Sequence, residues 1–208
     1  TSKIKESKKQ SKFSLFKKNK NKKTLYQAQD FDQLDKSCQQ LIEEAENDAD
    51  CQFKVGQFLM EGKNGFTKNT QLSVSYLKHA SKNGCLNAVV YYARVLIKGE
   101  MIPQDLVQAK KILKKHSKSE NGDVFLLLGK ISKKEGKHTK AKKFFEQSSK
   151  VGNAESMYEI GKMHYKGIGC TKNVKEATKF FNMAKKNGFN KSDKFLTPNL
   201  EETEPLPS

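Results

Sequence analysis

Residues 154–161, Ala154-Glu-Ser-Met-Tyr-Glu-Ile-Gly161, decide the fold, because the same phrase occurs three times upstream. Ala49-Asp-Cys-Gln-Phe-Lys-Val-Gly56, Leu86-Asn-Ala-Val-Val-Tyr-Tyr-Ala93 and Gly122-Asp-Val-Phe-Leu-Leu-Leu-Gly129 superimpose on it without gaps. Their closing small residues stand 37, 36 and 32 positions apart. A second series keeps step with the first: Tyr76-Leu77, Ile112-Leu113, Phe144-Phe145 and Phe180-Phe181. Three residues after the second member of each pair come Ala80, His116, Ser148 and Ala184. Two interleaved series sharing one period in this range are the sequence mark of a helical repeat array.

Each unit reads as two antiparallel helices. Gly62, Gly99 and Gly167 stop the first helix, since glycine takes the positive φ that turns the chain away. Asn69, Asp105 and Asn173 open the second by accepting from free N–H groups, with Gln108 and Glu176 placed as capping-box partners. The small residues at 56, 93, 129 and 161 let paired helices approach closely, and the bulky pairs are expected to fill the space between neighbouring hairpins. One hairpin cannot bury its apolar face alone, so the array is the stable object.

The fourth unit continues Lys166-Gly167-Ile168-Gly169-Cys170-Thr-Lys-Asn173, then Glu176-Ala177-Thr-Lys-Phe180-Phe181-Asn-Met-Ala184, and closes at Gly188. This resembles the Sel-1-like repeat, a relative of the tetratricopeptide repeat, whose pattern is roughly A-x-A-x-Y-x-L-G-x-x-Y-x-x-G-x-G-V-x-x-D-x-x-K-A-x-x-Y-Y-x-K-A-A-x-x-G. The first unit keeps the frame with one inserted residue at Gly62-Lys-Asn-Gly65 and Ser73 in place of alanine. The second substitutes Ala93 for glycine and degenerates at Glu120. The third lacks the Gly-x-Gly-Val loop and looks like an ordinary tetratricopeptide turn at Glu135-Gly136.

The resemblance covers 47–196, in units 47–84, 85–120, 121–152 and 153–196. A capping helix is expected within 26–46, with Leu34 through Ala49 reading as one amphipathic helix, and Lys191–Leu196 looks like a truncated closing cap. The resemblance implies an all-α, right-handed superhelix, a solenoid of about four hairpins with partial caps. It also implies a concave surface of first helices, used across the family to assemble protein complexes. A cysteine-rich branch ties each repeat with a disulfide, and the scattered Cys38, Cys51, Cys85 and Cys170 fit that branch poorly.

The formal charge is +17, and all but one of the 40 basic residues are lysine. Residues 1–25 hold ten lysines against Glu6 and read as a disordered basic arm, while 197–208 read as a flexible acidic tail. A basic excess suits nucleic acid, an anionic membrane or an acidic peptide. A coding preference for lysine explains it equally well, since nucleic-acid readers lean on arginine. The run Lys17–Lys23 also fits a nuclear-import signal, and Phe13, Leu15 and Phe16 beside it fit contact with an anionic membrane. No signal-peptide core or membrane-length apolar run is present, and an intracellular, cytoplasmic or nuclear protein is expected.

Catalysis is not expected. His79, His116, His138 and His164 show no HxxxH or HExxH spacing, no CxxC pair marks a metal, and no cofactor or small-molecule substrate is indicated. The expected function is a protein-interaction scaffold, with nucleic-acid or anionic-membrane binding through residues 1–25 as the alternative. Similarity to tetratricopeptide arrays places a peptide groove along the first helices. One residue after the small positions come Arg94, Lys130 and Lys162, and five after come Lys98, Lys134 and Lys166. Phe53, Tyr158 and Tyr165 serve as apolar anchors for an acidic peptide. Lys98, Lys134 and Lys166 equally well favour the negative end of a helix.

Overall fold

The computed structural model describes residues 33–196. The basic arm 1–25 and the tail 197–208 lie outside the described residues. All regular structure among the described residues is helical. The chain divides into two compact units, one running to Ala88 and the other beginning at Val89.

In the first unit, α1 (Lys36–Glu44) precedes a hairpin of α2 (Ala49–Glu61) and α3 (Thr70–Lys82). The helix expected from Leu34 through Ala49 is shorter than that. Asp48 accepts from the Cys51 N–H and so caps a new helix beginning at Ala49, while buried Gln52 donates to the Ala45 carbonyl left by α1. Ile42, Val55, Leu59, Phe66 and Tyr76 form the core here. Gly62 ends α2 in the left-handed conformation, φ 67°.

Helix α4 (Leu86–Lys98) carries the point of division between the units. The second unit continues with α5 (Leu106–Lys115), then the hairpins α6 (Gly122–Lys134) with α7 (His138–Lys150) and α8 (Ala154–Lys166) with α9 (Val174–Lys186). The closing segment is a 3-10 turn, Asn190–Phe195, whose Phe195 stacks on Phe181 at 4.4 Å.

The glycines at the small positions are contact points within their hairpins. An ideal Cβ built on Gly56 would stand 3.0 Å from Leu77, and one on Gly161 would stand 2.6 Å from the Phe181 ring. At Gly129 the Phe145 ring is closer still. Thus Leu77, Phe145 and Phe181 fill space inside their own hairpins, where the sequence suggested filling between hairpins. The preceding residue does the bridging at the C-terminal end: Phe180 packs against both the Phe145–Ile160 cluster and the Tyr158–Phe181 cluster.

Asn69, Asp105 and Asn173 cap the second helices as expected, accepting from Leu72, Gln108 and Glu176 N–H groups. The capping boxes do not form. Each cap's own N–H already donates to the first helix of its hairpin: Asn69 to Leu59, Asp105 to Leu96 and Asn173 to His164, at 2.9, 3.0 and 2.9 Å. With that donor satisfied, Gln108 instead accepts from the Tyr92 hydroxyl, and Glu176 faces Lys179. These bridges tie the start of each second helix to the last turn of the first.

Candidate functional site

Helices α4, α6 and α8 share one register, so their residues one past the small position form a row. Arg94 reaches Asp123 at 3.8 Å and Lys130 reaches Glu155 at 2.6 Å. Asp123 and Glu155 lie in the first turns of α6 and α8, where a carboxylate also meets the positive helix end. Lys162 pairs with Glu159 of its own helix at 2.5 Å, and the same carboxylate takes Lys133 at 2.8 Å. Burial pushes the Glu159 carboxyl up, but hydrogen bonds from Lys133 and Lys162 outweigh it and hold the group below its ordinary value. Burial pushes the Lys162 ammonium down, with repulsion from Lys133 and Lys166 adding to the effect. Lys162 also sits over the Tyr158 ring at 4.6 Å.

The row five past the small position differs. Lys98 has a solvated contact with Glu100 at 3.6 Å, and Lys134 and Lys166 are exposed with no ion pair among the described residues. All three end their helices, where a cation also complements the dipole.

The three aromatic side chains named as anchors are committed to packing. Phe53 lies against Ala80, Cys85 and Ala88. Tyr158 is covered by Phe181, Phe189 and Phe195, with ring centroids 5.8, 5.0 and 5.9 Å away. Tyr165 meets the Phe195 ring edge-on at 5.6 Å. The closing 3-10 turn therefore occupies the apolar end of that face.

An apolar notch does exist on α4. Tyr91, Arg94, Val95, Lys98, Glu100 and Met101 line roughly 110 Å³. Tyr91, Val95 and Lys98 stand at i, i+4 and i+7, and Met101 from the following loop closes one side. Of these lining residues the sequence reading singled out Arg94 and Lys98 and did not name Tyr91, Val95 or Met101, whose signal is this helical spacing beside a loop methionine. A larger open cavity, about 350 Å³, lies in the first unit between α1 and the hairpin, beside Cys38, Phe58 and Phe66.

No three His, Cys, Asp or Glu gather as a metal site among the described residues, and no described helix is long and apolar enough to cross a membrane. His164 stacks on Phe180 at 6.0 Å, and Cys170 approaches its Nδ1 at 3.7 Å. The Cys85 thiol, buried and donating to Asp50, is raised to about 11.

The Sel1 repeat family model matches residues 49–85, 87–116 and 154–189. It leaves out the α6–α7 hairpin, although that hairpin has the same Gly129–Phe145 contact. Among solved structures, the chain is similar to a protective antigen present in uropathogenic Escherichia coli strains that displays an SLR fold. The TM-score is 0.66 at 24% identity, over 74% of this chain and 34% of that one. It is also similar to a Sel1 repeat protein from Oxalobacter formigenes, with a TM-score of 0.65 at 20% identity, over 74% and 64% of the two chains. The chain thus spans less than two thirds of either relative's length.

Proposed function

We propose, from the premise that this chain belongs to the Sel1 repeat family, that it is a protein-binding scaffold whose α4 face takes an acidic, partly apolar segment of its partner. Sel1 repeat proteins are generally protein–protein interaction scaffolds. The observation that carries the finer reading is the notch on α4. Arg94 is 39% exposed and Lys98 58% exposed at its rim, and each makes only a long, solvated contact with a carboxylate. Such pairs are worth little and exchange readily for a ligand carboxylate, whereas the short pairs of Lys130 and Lys162 are occupied within the fold. Met101 supplies an adaptable apolar wall. Lys134 and Lys166 extend the positive edge along α6 and α8, so an extended acidic segment is steered toward the notch.

Fluorescence anisotropy of the full chain with a short labelled peptide of glutamates interspersed with leucine tests this. Arg94→Glu with Lys98→Glu is expected to weaken capture by about tenfold or more, equivalent to roughly 1.4 kcal/mol. The thermal midpoint should hold, because both side chains are exposed at the surface. Undiminished capture by the double variant would remove the assignment.

A further inference from the structure

The second helices of the hairpins carry a different kind of charge from the first. Leu113, Phe145 and Phe181 are fully buried on α5, α7 and α9. Two residues before each come Lys111, Lys143 and Lys179, about 160° round the helix from the buried side. All three are exposed, and Lys115, Lys150 and Lys186 continue the same faces further along. Of these six, only Lys179 has an ion pair among the described residues, at 3.7 Å from Glu176.

Few acids accompany them. Helix α5 has none, α7 has only Glu146, engaged with Lys142, and α9 has only Glu176. Lys130, Lys133 and Lys162, nearest the α6–α8 contact, are ion-paired, whereas five of these six outer lysines have no ion pair among the described residues. Apolar side chains are interleaved with the charges: Val107 on α5 is 80% exposed and Met183 on α9 is 38% exposed, with Val151 exposed at the end of α7.

We infer that the outer faces of α5, α7 and α9 form a docking surface for an anionic lipid bilayer. A lysine-rich face with scattered apolar side chains matches the headgroup region, where ammonium groups meet lipid phosphates and apolar groups enter between headgroups. A nucleic-acid backbone has no use for exposed valine and methionine, and the face offers neither arginine for base edges nor exposed aromatic rings for stacking. This surface draws on none of residues 1–25 and on none of the residues that line the α4 notch.

Co-sedimentation of the full chain with phosphatidylserine–phosphatidylcholine vesicles tests the inference. Each lysine near such a surface contributes about fivefold to partitioning, so Lys111→Gln, Lys143→Gln and Lys179→Gln together are expected to lower binding by about a hundredfold. Val107→Ser with Met183→Ser is expected to weaken vesicle binding severalfold and to leave binding to duplex DNA unchanged. All five positions are exposed, and circular dichroism checks that the variants stay folded. Unchanged vesicle binding by the triple variant would overturn the inference and assign any binding to the arm. DNA binding as tight as vesicle binding, with no effect of the serine substitutions, would overturn it in favour of a nucleic acid.

Discussion

Replacing Gly161 by alanine adds one methyl group at the point where α8 meets α9. The new Cβ would lie 2.6 Å from Phe181 Cε1 and 2.7 Å from Cδ1, so the ring must retreat by about 1 Å to regain ordinary contact. It has little room to do so, being fully buried, stacked on Phe195 and tilted against Tyr158. Overpacking of this kind costs about 1–3 kcal/mol, and the better helix propensity of alanine offsets about 0.5–1 kcal/mol. The net expectation for Gly161→Ala is a loss of about 1–2 kcal/mol, or a fall in melting temperature of roughly 3–8 °C. Valine should cost more. The second repeat shows how the contact can be relieved, since buried Ala93 there occurs with buried Leu113 in the equivalent place. Gly161→Ala combined with Phe181→Leu should therefore cost less than the sum of the single changes. Urea unfolding followed by circular dichroism, with hydrogen exchange over residues 154–186, measures the cycle. An unchanged midpoint for Gly161→Ala, or strict additivity in the double variant, would refute the reasoning.

Other consequences are open to simpler checks. Glu135 is held at about 2 by hydrogen bonds from Lys110 and Lys137, so its contribution is complete above the ordinary carboxylate range and is lost as pH falls toward 2. Glu135→Gln should cost about 1 kcal/mol at pH 7, with the gap to wild type closing between pH 5 and 2; a gap constant with pH in urea unfolding contradicts this. Asn173→Ala removes the cap that accepts from the Glu176 N–H and should cost about 1 kcal/mol, read as faster hydrogen exchange in the first turn of α9. Cys85, raised to about 11 by burial and by Asp50, should resist iodoacetamide at pH 8 in the folded chain and react once urea unfolds it.

Periodic features were legible in the sequence because repetition multiplies a weak local signal. Gly62, Gly167, Asn69, Asp105 and Asn173 each act through their own backbone neighbourhood, and the structure has them at the helix ends where spacing placed them. What spacing could not show was competition for a shared partner. The capping boxes failed because a carbonyl of the first helix takes the cap's N–H, a contact between segments nine or ten residues apart. The register gives Arg94, Lys130 and Lys162 equivalent positions on their helices, but whether a lysine is available depends on acids a whole hairpin away. Glu155 answers Lys130 across 25 residues, and no local pattern marks that pairing. Tyr158 and Tyr165 look like groove residues until the 3-10 turn is seen to cover them. A closing cap over Lys191–Leu196 is expected from the sequence, but past the last full repeat no period marks which side chains it covers.

Whether a partner's acidic segment lodges on the α4 face is decided by amide chemical-shift mapping of the isotope-labelled full chain titrated with the glutamate–leucine peptide. The largest shifts are expected to cluster at Tyr91, Arg94, Val95, Lys98 and Met101, with smaller shifts near Lys134 and Lys166. Shifts confined to the amides of residues 1–25, or centred on the outer faces of α5, α7 and α9, would contradict it.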